Sequence, residues 1–285
     1  MHPSIYMLEK ELIEHKVVTR VPLFLLVVIV LMFVGALTNS GFQQSYSFQM
    51  EFNGYSTDII SGLSSTINSK IIYAVSLVSL ILSSLYLPKT LRKERLEGSS
   101  MFWRSMPVSH GMTHAVKLAF GLLVIPLICS VLVLGATLML WVLNLATDTQ
   151  VAMLLSQSSL FDVVINWFSF LARMTLVAFA LLPLAIIAMM VSQLVSSPIL
   201  VMVITSYAVK WLSAYLFGFD GVGEFFNAIF SIPAMIFSPE PLIGFARAGI
   251  VNLVIYYVLG IAALTASLSL SQTNEVSFRG MFSRG

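Results

Sequence analysis

The side chains best suited to chemistry in this sequence are gathered in one basic block, Lys89–Lys117, between two long hydrophobic stretches. Six of the fifteen Lys and Arg residues of the chain lie in these 29 residues, and Phe102 and Trp103 stand together among them. An aromatic anchor surrounded by arginine is typical of a surface that binds another protein. Basic and aromatic side chains are also common where a loop contacts lipid head groups. The block therefore predicts a docking surface, with lipid head groups as the alternative contact.

The sequence patterns of three catalytic classes are absent from the chain. Nucleotide hydrolysis needs a glycine-rich loop, G-x-x-x-x-G-K-[ST], to hold the phosphates, and the dipeptide Gly-Lys does not occur. A metalloprotease needs H-E-x-x-H, but Gly111 and Met112 follow His110 before His114. We interpret these two histidines as polar residues at a helix start. The serine hydrolase pattern G-x-S-x-G is also missing. We expect no catalytic residue and no metal site, and any nucleotide-driven energy must come from another subunit.

Composition places the block in a membrane protein. Of the 285 residues, 58% are hydrophobic and 10% are charged, whereas about a quarter of the residues of a soluble domain are charged. A helix needs roughly 20 apolar residues to cross the hydrocarbon core. Six stretches meet this need: residues 17–38, 71–87, 115–142, 167–191, 198–217 and 250–270. We predict an all-α membrane protein in which residues 1–285 form one domain of six transmembrane helices.

Within the second predicted span, Ser76, Ser79 and Ser83 share one helical face. Small hydroxyl side chains at this spacing let helices approach closely and form hydrogen bonds between them. We therefore interpret this stripe as a packing surface and not as a nucleophile. Ser109, just before the third predicted span, is suited to cap the N-terminus of that helix.

The distribution of charge orients the spans. Eleven of the fifteen Lys and Arg residues fall on the side of the two termini, and two fall on the opposite side. Cytoplasmic loops are enriched in Lys and Arg. Both termini and the basic block are therefore predicted to lie in the cytoplasm.

The first 16 residues have the pattern of an amphipathic helix. The apolar side chains recur at helical spacing, and the charged ones fall largely on the remaining faces. The apolar set is Ile5, Leu8, Leu12 and Ile13, and the charged set is Glu9, Lys10, Glu11, Glu14 and Lys16. Such a helix commonly lies in the membrane interface. We predict a surface helix over residues 1–16, with a solvated cytoplasmic helix as the alternative.

Two outer segments differ in character. Residues 40–68 are rich in Ser, Gln, Gly and Tyr, which predicts a flexible loop. Residues 225–237 are mostly apolar, too short to span, and interrupted by Pro233. They predict a re-entrant or interfacial hairpin within the outer region 218–249. Irregular backbone at membrane depth needs cover from protein or a water-filled cavity, so Pro233 is a candidate for a translocation path.

Two further charges lie inside predicted spans, Arg173 in the fourth and Lys210 in the fifth. Ionisable groups there are costly and tend to face protein or water. They are candidates for a cationic lining in the outer half of a pathway that favours an anionic or lipid-linked cargo. The alternative is that each long side chain lifts its charge to the outer interface, toward Asp162 or Glu224.

Local motifs of the block resemble the segment between the second and third spans of ATP-binding-cassette permeases of the type-2 exporter family. That family pattern is E/D-R-x-x-G/R-S-x-x-F-W-R/K-S-x-P-V-S. The matching residues are Glu94-Arg95, Gly98-Ser99, Phe102-Trp103-Arg104-Ser105 and Pro107-Val108-Ser109. An acidic residue follows the last Ser of the family pattern, and this chain has His110 there. Elsewhere the resemblance is one of architecture: a surface helix, six spans, internal termini and a re-entrant hairpin.

The resemblance implies a bacterial cytoplasmic-membrane permease that pairs with a second permease chain, identical or related, and binds two cytoplasmic ATPase subunits. Those subunits would hold ATP and Mg, while this chain would hold no cofactor, contact membrane lipid and bind no nucleic acid. The resemblance also implies a coupling loop over residues 89–114 that seats a short helix in the ATPase. The residues implied in that contact are Arg95, Met101, Phe102, Trp103, Arg104 and Pro107.

Two alternatives to this function stay open. One is a secondary transporter driven by an ion gradient, which would ordinarily carry acidic or His residues near the membrane midplane; the predicted spans contain no Asp or Glu. The other is a membrane partner of an ATPase that transports nothing. The cargo, and whether the paired chain is identical, do not follow from the sequence.

Overall fold

The structure is a computed structural model that describes residues 3–38, 56–96, 109–146, 159–218 and 220–272. The regular secondary structure of these residues is helical throughout. The elements are α1 (Pro3–Glu14), α2 (Lys16–Thr38), α3 (Ser56–Leu96), α4 (His110–Ala119), a π-helical turn (Phe120–Val124), α5 (Ile125–Ala146), α6 (Leu160–Leu194), α7 (Pro198–Phe217), α8 (Gly221–Ile236), α9 (Ile243–Ala248) and α10 (Ile250–Gln272).

Among the described residues, six helical segments are long and apolar enough to cross a membrane. They are Lys16–Gly35, Ile67–Leu91, His110–Leu143, Leu160–Leu194, Pro198–Leu216 and Ile250–Ser271. Each overlaps one of the predicted spans, so the prediction of an all-α fold with six candidate membrane helices is confirmed. The third segment runs through α4, the π-helical turn and α5 without a break.

The prediction of a flexible loop over residues 40–68 is wrong from residue 56 onward, because α3 begins at Ser56 and continues for 41 residues. Such a helix is about 60 Å long, roughly twice the hydrocarbon thickness. Ile60, Leu63 and Ile67 recur at helical spacing within the polar stretch. This weak periodicity is the signal that the polar composition obscured. Residues 39–55 lie outside the described part of the chain.

Residues 221–248 form a helical hairpin of two unequal arms, α8 and α9. The prediction that Pro233 interrupts this segment is wrong, because α8 continues through Pro233 to Ile236. The chain instead turns between α8 and α9, where Pro239 and Pro241 lie. At Gly244 of α9 an added Cβ would lie 3.3 Å from the Cα of Ile232, so glycine allows the two arms to touch. Entry of this hairpin into the membrane stays a prediction.

The chain divides into two compact units. The second unit comprises His15–Ile81 and Ile125–Met174. In this unit α2 packs along α5. A Cβ added to Gly135 would lie 2.5 Å from Leu26 Cδ1, so the absence of a side chain at Gly135 leaves room for Leu26. The first unit comprises Met1–Glu14, Leu82–Val124 and Thr175–Gly285. The polar cluster described next belongs entirely to this first unit.

Candidate functional site: a buried polar cluster beside the basic block

Helix α4 begins directly after the basic loop and presents two polar side chains to the protein interior. Ser109 caps it, because its hydroxyl accepts a hydrogen bond from the backbone N–H of Met112 at 3.3 Å. The predicted N-cap is therefore confirmed. His114 and Lys117 are three residues apart and so share one face of the helix. Their exposed fractions are 3% and 2%.

Lys117 is neutralised by a carboxylate from the N-terminal helix. Its Nζ lies 2.7 Å from Oε1 of Glu11, which is 3% exposed. The other carboxylate oxygen of Glu11, Oε2, accepts a hydrogen bond from the hydroxyl of Tyr86 at 2.7 Å. Since a buried charge is tolerated when it is paired and hydrogen-bonded, these three side chains form one charge-balanced unit. It joins α1, α3 and α4.

The position of Glu11 corrects the sequence analysis, which placed this residue with the charged faces of an amphipathic helix. In the structure α1 turns Glu11 inward, while the apolar side chains of Ile5 and Ile13 are 52% and 59% exposed. Ile5 and Ile13 thus point away from the protein interior, while Glu11 points into it. Burial of this carboxylate is tolerated because it is paired with the Lys117 ammonium and hydrogen-bonded to Tyr86.

A second polar chain begins at His114, one turn before Lys117. Nδ1 of His114 lies 2.9 Å from the carbonyl oxygen of His110, which can only accept, so Nδ1 carries the proton. In the neutral ring Nε2 then accepts from the hydroxyl of Ser267 at 2.9 Å. Nε2 of Gln193 donates to the same Ser267 oxygen at 2.6 Å. Ser267 is fully buried and Gln193 is 4% exposed, so this chain fastens α4 to the ends of α6 and α10.

Close packing of α3 against the π-helical turn supports the cluster. The hydroxyl of Ser83 donates to the carbonyl oxygen of Gly121 at 2.6 Å. A Cβ added to Gly121 would lie 2.7 Å from Leu87 Cδ2, so glycine is required for this approach. The rings of Tyr86 and Phe120 meet with centroids 4.8 Å apart. Segments of π-helix often occur at functional sites. This one lies directly after α4.

The serine stripe predicted from the second span has the packing role expected of it. Ser76 and Ser79 are fully buried and Ser83 is 6% exposed. Ser76 donates to the carbonyl oxygen of Ile72 in its own helix at 2.7 Å, while Ser83 bonds across to the third span. The interpretation as a packing surface is confirmed.

The residues implied in ATPase contact lie outside the described part of the chain. Met101, Phe102, Trp103, Arg104 and Pro107 fall within residues 97–108. Arg95 lies in the last turn of α3, and its side chain is also outside the described atoms. Their role in docking therefore stays a prediction. What the structure does describe is the root of this loop, at α3 and α4.

The candidate path residues occupy three helices. Arg173 lies on α6 and is half-buried. Lys210 on α7 is half-buried too, and its Nζ lies 3.5 Å from Oδ1 of Asn227 on α8. Pro233 lies inside α8, where the neighbouring Ile232 and Ile236 are fully buried. A pathway lined by these residues stays a hypothesis.

A metal centre finds no support in the described residues. They contain no group of three or more His, Cys, Asp and Glu side chains placed to hold a metal ion. Both ring nitrogens of His114 are already engaged by oxygen atoms of the protein. The interpretation of His110 and His114 as polar residues at a helix start therefore needs one refinement, since His114 is a buried hydrogen-bonding residue.

Sequence reasoning missed the cluster, although two signals were present. Lys117 lies within the apolar third span and Gln193 near the end of the apolar fourth. A polar or charged side chain in such a position needs a partner. The sequence does not identify those partners, because Glu11 is 106 positions from Lys117 and Ser267 is 74 positions from Gln193.

Comparison of the chain with protein-family models, with curated proteins and with solved structures finds no match in any of the three. The resemblance to type-2 ATP-binding-cassette permeases therefore depends on the motifs of the basic block and on the architecture of six spans. The six long apolar helices among the described residues indicate that the chain is an integral membrane protein.

Proposed function

We propose that this chain is the membrane-spanning permease subunit of an ATP-driven exporter. A separate cytoplasmic ATPase subunit hydrolyses ATP, and this chain converts the motion of that subunit into movement of a cargo across the membrane. The basic block is the docking surface, and Phe102, Trp103 and Arg104 are its anchor. The permease acts with a second permease chain in a cytoplasmic membrane.

The single observation that best supports this proposal is the fastening at the root of the loop. The Glu11 carboxylate bridges Lys117 of α4 and Tyr86 of α3, each at 2.7 Å. A docked loop can move spans only if the helices on either side of it respond together. Buried, charge-assisted contacts resist separation because breaking one leaves a charge without compensation. The cluster therefore suits a lever that transmits force from the loop.

The second polar chain extends this lever. His114 of α4 is bonded to Ser267 of α10, which is bonded to Gln193 of α6. A displacement of α4 would thus act on α10 and α6, two further helices that carry candidate spans. Where packed helices have two discrete arrangements, small motions at an effector site become larger rearrangements.

An ion-coupled transporter would need its ionisable groups in a different place. A proton or ion relay places ionisable groups near the membrane midplane. Within the described segments, the buried charges Glu11 and Lys117 lie elsewhere: Glu11 precedes the first span, and Lys117 is in the first quarter of the third segment. Their placement near the loop favours force transmission over ion relay.

The test is co-purification: the tagged chain is extracted from its native membrane in mild detergent, and any P-loop ATPase recovered with it is identified and quantified by mass spectrometry. Trp103→Ala and Arg104→Glu are expected to leave the permease inserted and to reduce recovery of the ATPase strongly. Trp211→Ala and Arg20→Glu are matched controls, since Trp211 and Arg20 are exposed on α7 and α2. Unchanged ATPase recovery in both loop variants would argue against the proposal.

A further inference from the structure

Helix α6 contains a proline that cannot donate a backbone hydrogen bond. Side chains of another helix bond to the backbone groups around it. Pro183 is buried and has no N–H, so the carbonyl oxygen of Phe179, four residues earlier, lacks its intrahelical donor. Inside a membrane an unsatisfied carbonyl is costly. A proline inside a helix is also the commonest cause of a kink.

Two consecutive tyrosines of α10 supply the missing hydrogen bonds. The hydroxyl of Tyr257 donates to the carbonyl oxygen of Phe179 at 2.9 Å. The hydroxyl of Tyr256 accepts from the backbone N–H of Leu184 at 3.1 Å and donates to the carbonyl oxygen of Ala180 at 2.9 Å. In an unbroken helix Leu184 N–H would donate directly to Ala180. The Tyr256 hydroxyl thus stands between two groups that a regular helix joins.

The backbones approach closely at the same level. A Cβ added to Gly260 of α10 would lie 2.7 Å from the Cβ and 3.0 Å from the Cα of Pro183, so any side chain there would force the helices apart. Tyr256 is 5% exposed and shares one buried face of α10 with Gly260 and Ser267. Further along that face, Ser267 holds Gln193 at 2.6 Å.

We propose that Pro183 is a hinge in α6, stabilised by the hydroxyls of Tyr256 and Tyr257. Beyond the hinge, residues 184–194 of α6 are bonded to α10 at both ends, at Leu184 through Tyr256 and at Gln193 through Ser267. This segment and α10 therefore move as one body, and the flexing point of α6 lies at residues 179–184. Tyr256 is the positioning residue, because its hydroxyl bonds both the Leu184 N–H and the Ala180 carbonyl oxygen, the two groups that a regular helix joins directly.

The hinge does not depend on an ATPase partner or a cargo. It follows from the backbone of α6 and the side chains of α10 alone. Its test can therefore use the isolated permease, and failure of the hinge would leave the docking proposal standing.

The experiment is amide hydrogen exchange with mass spectrometry on the permease in lipid nanodiscs, following the peptide that covers residues 179–188. Tyr256→Phe is expected to raise exchange of this peptide roughly three- to tenfold, because the Leu184 N–H loses its acceptor while Pro183 still prevents a regular helix. Pro183→Ala is expected to lower exchange below that of the unaltered chain, since Phe179 regains an intrahelical donor. Adding Tyr256→Phe to Pro183→Ala is expected to change nothing further.

Matched controls separate a hinge from general loosening. Tyr207→Phe removes an exposed tyrosine hydroxyl from α7, and Pro22→Ala removes a buried proline from α2. Neither should alter exchange at residues 179–188. An equal effect of Tyr256→Phe in both backgrounds would show that Tyr256 only packs, and the hinge would be refuted. Should Pro183→Ala not insert, Tyr256→Phe compared with Tyr207→Phe still decides, because equal exchange in the two contradicts the bridge.

Discussion

Replacing Lys117 by methionine tests how much the ion pair with Glu11, at the base of the basic loop, contributes to stability. Methionine keeps most of the side-chain volume of lysine and removes its charge. The variant leaves the Glu11 carboxylate, 3% exposed, with the hydroxyl of Tyr86 but without its cation. Removing one partner of a buried ion pair costs about 3–5 kcal/mol of stability.

We therefore expect Lys117→Met to lower the free energy of unfolding by about 3–5 kcal/mol, because the buried Glu11 loses the cation that lies 2.7 Å from its Oε1.

The assay is reversible unfolding in mixed micelles at pH 7. Lys10→Met is the matched control on the same helix, because the Lys10–Glu14 pair is 3.6 Å apart with side chains 17% and 36% exposed. An exposed pair of this kind contributes about 0.3–0.5 kcal/mol. The double variant Glu11→Gln with Lys117→Met carries no buried charge and should recover most of the loss.

The reasoning fails if Lys117→Met and Lys10→Met are equally stable at pH 7. It also fails if the double variant is no more stable than Lys117→Met, because the cost would then come from packing and not from the loss of the cation beside Glu11. Recovery of stability in the double variant would show that the loss comes from charge and not from side-chain shape, because both variants carry the same methionine at position 117.

Two further predictions concern the packing around the cluster. Gly121→Ala should lower the free energy of unfolding by about 1–3 kcal/mol, because the added Cβ would lie 2.7 Å from Leu87. Gly111→Ala, where the added Cβ has open space, should be neutral or stabilising in the same unfolding assay, and equal effects of the two variants would contradict the close approach. Ser267→Ala should cost about 1–3 kcal/mol by leaving the polar atoms of buried neighbours without this partner, while Ser269→Ala on the exposed face of α10 should change stability little. Equal losses at both serines would show that the chain through Ser267 stabilises nothing specific.

Features that depend on local sequence were predictable. Six apolar stretches became six candidate spans because the length of a membrane helix is set by the bilayer. Ser109 became an N-cap because a hydroxyl before a helix satisfies an exposed N–H. Ser83 became a packing residue because small hydroxyls allow close helix contact.

Features that depend on distant partners were not predictable. Glu11 belonged by spacing to a solvated face of α1, and its burial follows only from Lys117, 106 positions away. The sequence pattern does not distinguish Pro183, because it is one apolar residue in an apolar helix. Tyr256, which bonds Ala180 beside this proline, is 76 positions away from Ala180. In each case the polar group is stabilised by a tertiary contact that no local pattern encodes.

The central claim is that the aromatic pair of the basic block is held by an ATPase in the cytoplasm. The most direct measurement places a photo-crosslinking amino acid at Phe102 in living cells, with the same substitution at the exposed Trp211 as a control. The account predicts that position 102, and not position 211, crosslinks to a protein that carries a P-loop. A crosslink from position 102 to lipid alone, or labelling of that position by a membrane-impermeant reagent added outside intact cells, would contradict it.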